Sequence, residues 1–354
     1  MKIGILTFHD VYNPGAFLQA YSTIKTLQSL GYDPHIINYT SPKHRFRPWR
    51  KLLRYPQILF LNPSGWIESF KRNAAFVKVQ SHLLPTSRFE GHDELNNETF
   101  DAVIVGADIV WNYESPFWGD DPVYFGYYLK CKKLIAYAAS CGPLDLTISA
   151  PNFVMEGLKK FDKISVRDIK TAKFVQNAIG KEPPVVMDPT FDLDISNIPM
   201  GADAPEEKYF LVYAVPDLLS NEAVKKICEY AKINKLKIVA TCYRQAWADN
   251  NIIDSGPFDW VNLIRHASYI FTNTFHGTIF SIKLKKKFVL EYNKVIESKT
   301  YPVIKNLGLQ GHIFTPSCNL SSIFNCQDYE QSIMDIIKSY AVKNREFLIN
   351  SLAF

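Results

Sequence analysis

The chain has 354 residues, of which 47% are hydrophobic and 21% are charged, and its formal net charge at pH 7 is +5. This length predicts two domains, because one domain usually holds about 100–200 residues. No run of about 18 apolar residues occurs, which excludes a transmembrane helix, and the modest positive charge does not by itself indicate nucleic-acid binding.

The cysteines and the N-terminal residues indicate the cellular compartment in which the protein is expected. The six cysteines form no CxxC pair and have mostly apolar neighbours, so we expect reduced thiols. The opening segment, MKIGILTFHDVYNPGAF, lacks the long apolar region of a signal peptide. We therefore expect a cytoplasmic protein, with peripheral contact at the cytoplasmic face of a membrane as an open alternative.

Apolar runs typical of buried strands alternate with helical patterns from the start of the chain. Lys2–Phe8 is predicted as a strand, and Phe17–Leu30 as a helix that ends before Gly31. His35–Tyr39 is the next predicted strand, and this βαβ opening predicts a parallel sheet. Further strands in the first half are predicted at Ala102–Val105, Leu134–Ala138, Lys163–Val166 and Val185–Met187.

The second half of the chain repeats this alternation after a segment rich in Pro, Gly and Asp, Ser196–Glu207, which we interpret as a linker. The predicted strands are Tyr209–Ala214, Lys237–Thr241, Tyr269–Thr272 and Phe288–Glu291. The predicted helices are Asn221–Ile233, Asp259–His266, Phe275–Leu284 and Asp328–Leu352. We therefore expect α/β domains at 1–195 and 208–327, and a final helix at 328–354 that packs back across them.

Residues 43–54 form a basic segment in which Lys and Arg alternate with Phe46, Trp49 and Leu residues, without any acid. A solvated loop, contact with an anionic membrane surface and contact with nucleic acid all fit this pattern, in decreasing order of preference. We expect no nucleic-acid partner.

Familiar catalytic signatures are absent: the sequence has no P-loop, GxGxxG, HExxH or GxSxG motif, and its histidines lack metal-ligand spacing. His276 lies just after a predicted strand, in the first turn of a helix. A helix N-terminus favours anions, and a histidine there can act as acid or base near neutral pH. A capping or packing role fits the position equally well.

Other charged residues also follow predicted strands. Arg167 is placed to bind a carboxylate or phosphate, or to form a structural ion pair with Asp168 or Asp188. Lys294 could supply a point charge for phosphate, although a surface lysine is the commoner case. Asp108 and Asp188 could orient a sugar hydroxyl or cap a helix, and capping is the more common role.

The spaced motifs resemble those of the polysaccharide pyruvyltransferase family, in order and spacing, over roughly residues 2–310. The matching segments are Thr7-Phe8-His9, Gly15-Ala16-Phe17-Leu18-Gln19-Ala20-Tyr21, Gly106-Ala107-Asp108-Ile109-Val110-Trp111-Asn112, Tyr137-Ala138-Ala139-Ser140-Cys141-Gly142, Ser165-Val166-Arg167-Asp168, Asp188-Pro189-Thr190, Gly256-Pro257, Ala267 and Thr274-Phe275-His276-Gly277. The sequence departs from the family pattern at Ala107, Ile109, Asn273 and Thr274. The departure at Thr274 matters most, since some members carry an arginine there.

The resemblance implies a fold similar to the GT-B glycosyltransferases, with two Rossmann-like domains facing a cleft. It also implies phosphoenolpyruvate as donor, no separate cofactor and a glycan or lipid-linked oligosaccharide as acceptor. On this basis His276 is expected to be the general acid or base, with Arg167 and Lys294 as anion-binding cations and backbone N–H groups near Gly277 adding to the anion site. The remaining predicted binding residues are Asn13, Gly15, Asp108, Trp111, Asn112, Ser140, Asp188, Thr274 and Gly277. Of these, Trp111 is either a stacking platform for the acceptor sugar or a buried core residue.

Two other functions remain open from the sequence. A glycosyltransferase of the same architecture would use a nucleotide sugar, and fold alone does not exclude it. A non-catalytic scaffold would keep the fold and lose the donor chemistry, as the four departures allow.

Overall fold

The computed structural model describes residues 1–40, 63–116, 118–202, 204–293, 296–325 and 331–353. The strands within these ranges form two five-stranded parallel sheets with flanking helices, which confirms the predicted fold class. The basic segment 43–54, predicted as a possible membrane contact, lies outside the described residues. None of the helices in the described ranges has the length and apolar character needed to cross a membrane.

The N-terminal sheet has the strand order β2-β1-β3-β4-β5. Its strands are β1 (Lys2–Leu6), β2 (Asp33–Ile36), β3 (Thr99–Gly106), β4 (Lys130–Ala139) and β5 (Lys163–Val166). The helices of this half are α1 (Pro14–Ser29), α2 (Pro63–Val79), α3 (His92–Asn97), α4 (Asn152–Lys159) and α5 (Ile169–Ile179). β1 and β3 are almost wholly buried, because interior strands of a parallel sheet are covered on both faces.

Helix α1 begins three residues before the predicted start at Phe17. The Asn13 side chain accepts a hydrogen bond from the Gly15 N–H at 2.9 Å, and Pro14 occupies the first helical position, where its missing N–H costs nothing. At the other end, Gly31 has a φ of +82°, a left-handed conformation that stops the helix as predicted.

The predicted strand Val185–Met187 is wrong. The structure has a single bridge there, between Val166 and Val185. The two residues before Val185 are prolines, which lack the N–H group that a sheet ladder needs.

The C-terminal sheet has the order β10-β9-β6-β7-β8. Its strands are β6 (Tyr209–Tyr213), β7 (Lys237–Thr241), β8 (Asn250–Ile252), β9 (Tyr269–Thr272) and β10 (Phe288–Leu290). The remaining helices are α6 (Asn221–Ile233), α7 (Pro257–His266), α8 (Phe275–Lys283), α9 (Glu297–Asn306), α10 (Leu320–Asn325) and α11 (Gln331–Leu352). The edge strand β8 was not predicted, because it is short and mostly polar.

Contacts between the two halves hold the sheets in a fixed relation. Phe258 of α7 packs edge-on against Phe17 and Tyr21 of α1, with ring centroids 5.7 and 5.4 Å apart. The Lys283 ammonium at the end of α8 donates hydrogen bonds of 2.6–2.9 Å to three backbone carbonyls of the segment that follows the N-terminal sheet. From α2, Arg72 donates to the carbonyl of Ile253 at 3.0 Å.

The last helix, α11, returns to the N-terminal half. Its Phe347 ring stacks on Tyr137 of β4 at 6.1 Å. Its Asn344 amide accepts a bond from the Met187 N–H and donates to the Asp192 carboxylate at 3.1 Å. The helix thus covers the N-terminal sheet, after the chain has completed the C-terminal one.

Candidate functional site

A cleft of about 200 Å³ lies between the halves, where the carboxyl ends of strands from both sheets meet. The N-terminal half contributes Asn13, Asp108, Ile109 and Arg167 to its lining. Polar and aromatic residues of the C-terminal half complete it, among them Tyr213, Tyr243, Asn273, Thr274, His276 and Lys299. Carboxyl ends of parallel strands are the usual location of ligands in α/β proteins.

His276 reaches the cleft from the first turn of α8. Thr274 caps this helix, and its hydroxyl accepts a hydrogen bond from the Gly277 N–H at 3.1 Å. In this structure the Gly277 N–H is occupied by the cap, and its predicted part in an anion site stays a prediction. Thr274 performs the capping role of a serine at this position, since both side chains offer a hydroxyl oxygen.

The imidazole of His276 lies directly against the backbone of Gly15, across the boundary between the halves. A Cβ atom added at Gly15 would lie 2.0 Å from His276 Nδ1, far inside van der Waals contact. Gly15 thus allows the histidine to approach the first turn of α1, which explains why a residue without a side chain is required there.

Arg167, Asp188 and His276 form one connected group of charges at the cleft. Arg167 Nη1 lies 2.7 Å from Asp188 Oδ2, and the same oxygen lies 3.6 Å from His276 Nε2. Arg167 Nη2 lies 3.9 Å from Asp108 Oδ1. Asp188 is fully buried, so Arg167 and His276 lie on either side of a carboxylate that water does not reach.

The neighbours of Asp188 decide its protonation. Burial by itself raises the pKa of this carboxyl, but the adjacent His276, Arg167 and Thr190 outweigh it and hold the pKa well below its usual range. For Arg167, burial lowers the pKa, and Asp188 and Asp108 more than restore it. The aspartate therefore stays ionised at neutral pH, and it can orient the histidine and fix the guanidinium.

Arg167 combines both roles that the sequence left open. It forms the structural ion pair with Asp188, and it also lines the cleft. Its Nη1 donates to the Ala107 carbonyl at 3.1 Å as well. Ala107 has a φ of +71°, a left-handed conformation that turns this carbonyl toward the guanidinium.

Two predicted residues of the N-terminal half contact the cleft while bonding to their own backbone. The Asn13 amide caps α1, and an Asp108 oxygen accepts from the Ile109 N–H at 2.8 Å. Asn13 therefore caps a helix and Asp108 bonds within a turn, and both also line the cleft. The capping alternative holds for Asp188, which accepts from the Thr190 N–H at 3.0 Å.

Three further predicted residues lie behind the cleft lining. Trp111 is fully buried, and its indole N–H donates to the Tyr124 carbonyl at 3.0 Å. The stacking platform predicted for Trp111 is thus wrong, because neither face of the indole is open to a sugar. Ser140 is buried and donates to Asp168 at 2.8 Å, while the Asn112 amide oxygen is buried without a hydrogen-bond partner.

Some cleft residues were missed from the sequence, and one predicted residue is not described. Lys294 lies outside the described residues. Lys299, Tyr213 and Tyr243 line the cleft but carry no motif in the sequence. Tyr213 and Tyr243 each lie at or just after a strand end, and that position was the available signal. Within the described ranges, no group of three or more His, Cys, Asp or Glu side chains could hold a metal ion.

The family profile for polysaccharide pyruvyl transferases matches residues 13–294. The chain belongs to the polysaccharide pyruvyl transferase family. The match runs from the start of α1 past the end of β10, and so includes Arg167, Asp188 and His276. The match confirms the resemblance found in the motifs. As a member of this family, the protein is a transferase. No curated protein sequence matches the chain.

The solved structures similar to this pyruvyl transferase family member include one that shares its architecture. The UDP-GlcNAc 2-epimerase of Methanocaldococcus jannaschii, solved with UDP-GlcNAc and UDP, has a TM-score of 0.52 and 12% identity, over 97% of this chain and 100% of that one. The ADP-heptose LPS heptosyltransferase II of E. coli has a TM-score of 0.40 and 13% identity, over 99% of this chain and 98% of that one. At such low identity the likeness concerns the fold alone.

Proposed function

We propose that the protein transfers the pyruvate group of phosphoenolpyruvate onto two hydroxyls of one sugar, forming a cyclic ketal and releasing phosphate. The observation that carries this proposal is the group formed by Arg167, Asp188 and His276 at the cleft of a pyruvyl transferase family member. Phosphoenolpyruvate carries a carboxylate and a phosphate, so its site needs a fixed cation beside a group that moves protons.

The proposed reaction makes two C–O bonds and breaks one. The methylene carbon of phosphoenolpyruvate takes a proton and becomes the methyl group. The first sugar hydroxyl bonds to the neighbouring carbon and loses its proton, and the bond from that carbon to the phosphate oxygen breaks. The second hydroxyl then closes the ring at the same carbon, and its proton leaves with the phosphate as hydrogen phosphate.

His276 is proposed as the group that carries protons in these steps. It lines the cleft, and Asp188 Oδ2 lies 3.6 Å from its Nε2. Arg167 is proposed to bind one anionic group of the donor, since its guanidinium is held in place by Asp188 and Ala107. Fixed donors of this kind stabilise developing charge without reorganising.

The acceptor is proposed to be a sugar of a surface polysaccharide, free or linked to a lipid, bound on the N-terminal side of the cleft. Asn13, Asp108 and Ile109 line that side. The cytoplasmic location and a membrane contact through residues 43–54 remain predictions from the sequence. Flotation of the protein with vesicles that contain anionic lipid, against vesicles of neutral lipid, tests the membrane contact.

Calorimetric titration with phosphoenolpyruvate, with a panel of nucleotide sugars alongside, tests the donor. We expect saturable binding of phosphoenolpyruvate that weakens in Arg167→Ala. A nucleotide-sugar isotherm without phosphoenolpyruvate binding would instead identify a glycosyltransferase. If neither ligand binds, with or without a glycan acceptor, the result would favour a non-catalytic scaffold.

Phosphate release from phosphoenolpyruvate in the presence of a glycan acceptor tests the role of His276. His276→Ala should lower the rate by about 10²–10⁴, the usual contribution of a general acid or base. His266→Ala is the matched control, because His266 is exposed on α7 and does not line the cleft. A loss of less than tenfold in His276→Ala would exclude proton transfer by this residue.

A further inference from the structure

Lys299 is a cation of the cleft that the sequence motifs did not indicate. It lies in the first turn of α9 and lines the cleft with Arg167 and His276. Arg167 follows the N-terminal sheet, whereas Lys299 comes from the helix after the last strand of the C-terminal sheet. The two cations therefore reach the same space from opposite halves of the protein.

The packing of α9 explains why this lysine is directed inward. Ile296 and Val303, three residues before and four residues after Lys299, are buried and lie on the same helix face. The start of the helix is held by Asn293, whose amide accepts from the Ile296 N–H at 3.2 Å and donates to the Asn273 carbonyl at 2.9 Å. Lys299 thus lies half-buried at the cleft, near the end of β9.

The Lys299 ammonium lacks a hydrogen-bond or ion-pair partner among the residues described here. Lys283 is also half-buried, but it donates to three backbone carbonyls. Burial, and then the charge of Arg167, lower the pKa of Lys299 to about 8. A half-buried ammonium that forms no hydrogen bond or ion pair within the described part of the protein is available to an anion bound in the cleft.

The charges of the cleft point to the same conclusion. The lining includes the cations Arg167 and Lys299 and the carboxylate Asp108, and Asp188 lies directly behind. The two carboxylates offset Arg167, which interacts with both. Among the described residues, Lys299 forms no such close ion pair, so its ammonium is the more available of the two cations for an anionic ligand.

We infer that Lys299 binds the phosphate group of the donor, beside Arg167. This inference rests on the proposed function and adds a residue that the family motifs do not include. A compact ammonium on a flexible stem suits a phosphate as a point charge, whereas the planar guanidinium of Arg167 suits a carboxylate.

Calorimetry with phosphoenolpyruvate on wild type, Lys299→Met and Lys299→Arg tests the inference. Lys299→Met should weaken binding about 10–100-fold, the usual value of a hydrogen bond to a charged group, and Lys299→Arg should keep most of the affinity. Lys305→Met is the matched control, since Lys305 is exposed on the same helix. Inorganic phosphate alone should show the same order of affinities, and pyruvate should not.

The pH dependence of binding distinguishes a lysine that binds the ligand from one that only stabilises the fold. The wild-type affinity should fall as the pH rises from 7.5 to 9, because Lys299 loses its proton there. Lys299→Arg should bind equally well across this range, since a guanidinium stays charged. The pKa of Arg167 is raised by Asp188 and Asp108, the neighbours of Asp188 hold its pKa well below the usual range, and burial raises the pKa of Tyr213 and Tyr243 above the usual value of 10. Asp108, Asp168 and His276 are the same in both proteins, so the difference between the pH profiles of wild type and Lys299→Arg reports Lys299.

The outcomes separate this inference from the proposed function. If wild type binds no phosphoenolpyruvate, the proposed donor is wrong. If wild type binds it and Lys299→Met behaves like Lys305→Met, the donor stands and the inference fails. Loss of binding in Lys294→Met but not in Lys299→Met would also overturn the inference. Should Lys299→Met not fold, the pH profile of Lys299→Arg decides.

Discussion

Replacing Gly15 with alanine tests whether the close approach of His276 to α1 is needed for activity. The new Cβ would lie 2.0 Å from Nδ1, 2.3 Å from Cγ and 2.7 Å from Cε1 of His276, whereas ordinary contact begins at 3.4 Å. The imidazole must therefore retreat by about 1.4 Å, or the two halves must move apart by a similar distance. A displacement of about 1 Å at a catalytic group can cost about 100-fold in rate.

The effect of this substitution on folding is expected to be small or opposite in sign. Gly15 lies within α1, where alanine is favoured over glycine by up to about 1 kcal/mol. Gly15→Ala should thus lower phosphate release from phosphoenolpyruvate at least 100-fold while the melting temperature stays near that of wild type. A large fall in both would indicate a folding defect and not a displaced histidine.

Gly311→Ala is the control for this experiment. A Cβ atom at Gly311 meets nothing within 4 Å, so this variant should keep wild-type activity and stability. Gly15→Ala with activity within twofold of wild type would refute the reasoning, because the histidine position would then not matter.

Three further predictions concern residues around the cleft. Burial raises the pKa of Asp192 to about 7, above the value near 3.9 that it has in the unfolded chain. Between these two values the native state holds a proton that the unfolded state releases. The free energy of unfolding should therefore fall by about 2 kcal/mol from pH 5 to pH 7. This fall should be absent in Asp192→Asn in urea titrations at the two pH values. Trp111→Phe should lower the free energy of unfolding by about 1–3 kcal/mol, because the Tyr124 carbonyl loses its hydrogen-bond donor, and it should leave the KM for the acceptor unchanged. A raised KM with unchanged stability would instead indicate contact with the sugar. Thr274→Ala should cost about 1 kcal/mol through loss of the α8 cap, whereas Thr274→Ser should keep wild-type stability in thermal melts.

The secondary structure was largely predictable, because the signals that determine it are local. The predicted bounds of β5, α6, β7 and β9 are those observed, since each is an apolar run or a capped periodic segment. The errors occur where a local signal was weak or misleading. β8 has little apolar character and so was missed. The apolar residues Val185–Met187 suggested a strand, but the prolines before them prevent one.

The candidate site was predictable where its residues directly follow strands. Arg167 and His276 were found in this way, because the carboxyl ends of parallel strands meet at one edge of a sheet. The predicted role of Trp111 as a platform was wrong, since the same sequence pattern fits an exposed and a buried indole. The neighbours Tyr124, Phe125 and Phe161, which bury it, are distant in sequence.

Two α/β units, their family and the strand ends that precede Arg167 and His276 follow from local sequence signals, whereas the strand predicted before Asp188 does not form. Only the tertiary structure decided that His276 contacts Gly15, and that Lys299 faces the same cleft as Arg167. The physical reason is that strands and caps depend on residues within a few positions of each other. Gly15 and His276, and likewise Arg167 and Lys299, are more than 100 positions apart in the sequence, and the packing of the two halves brings them together.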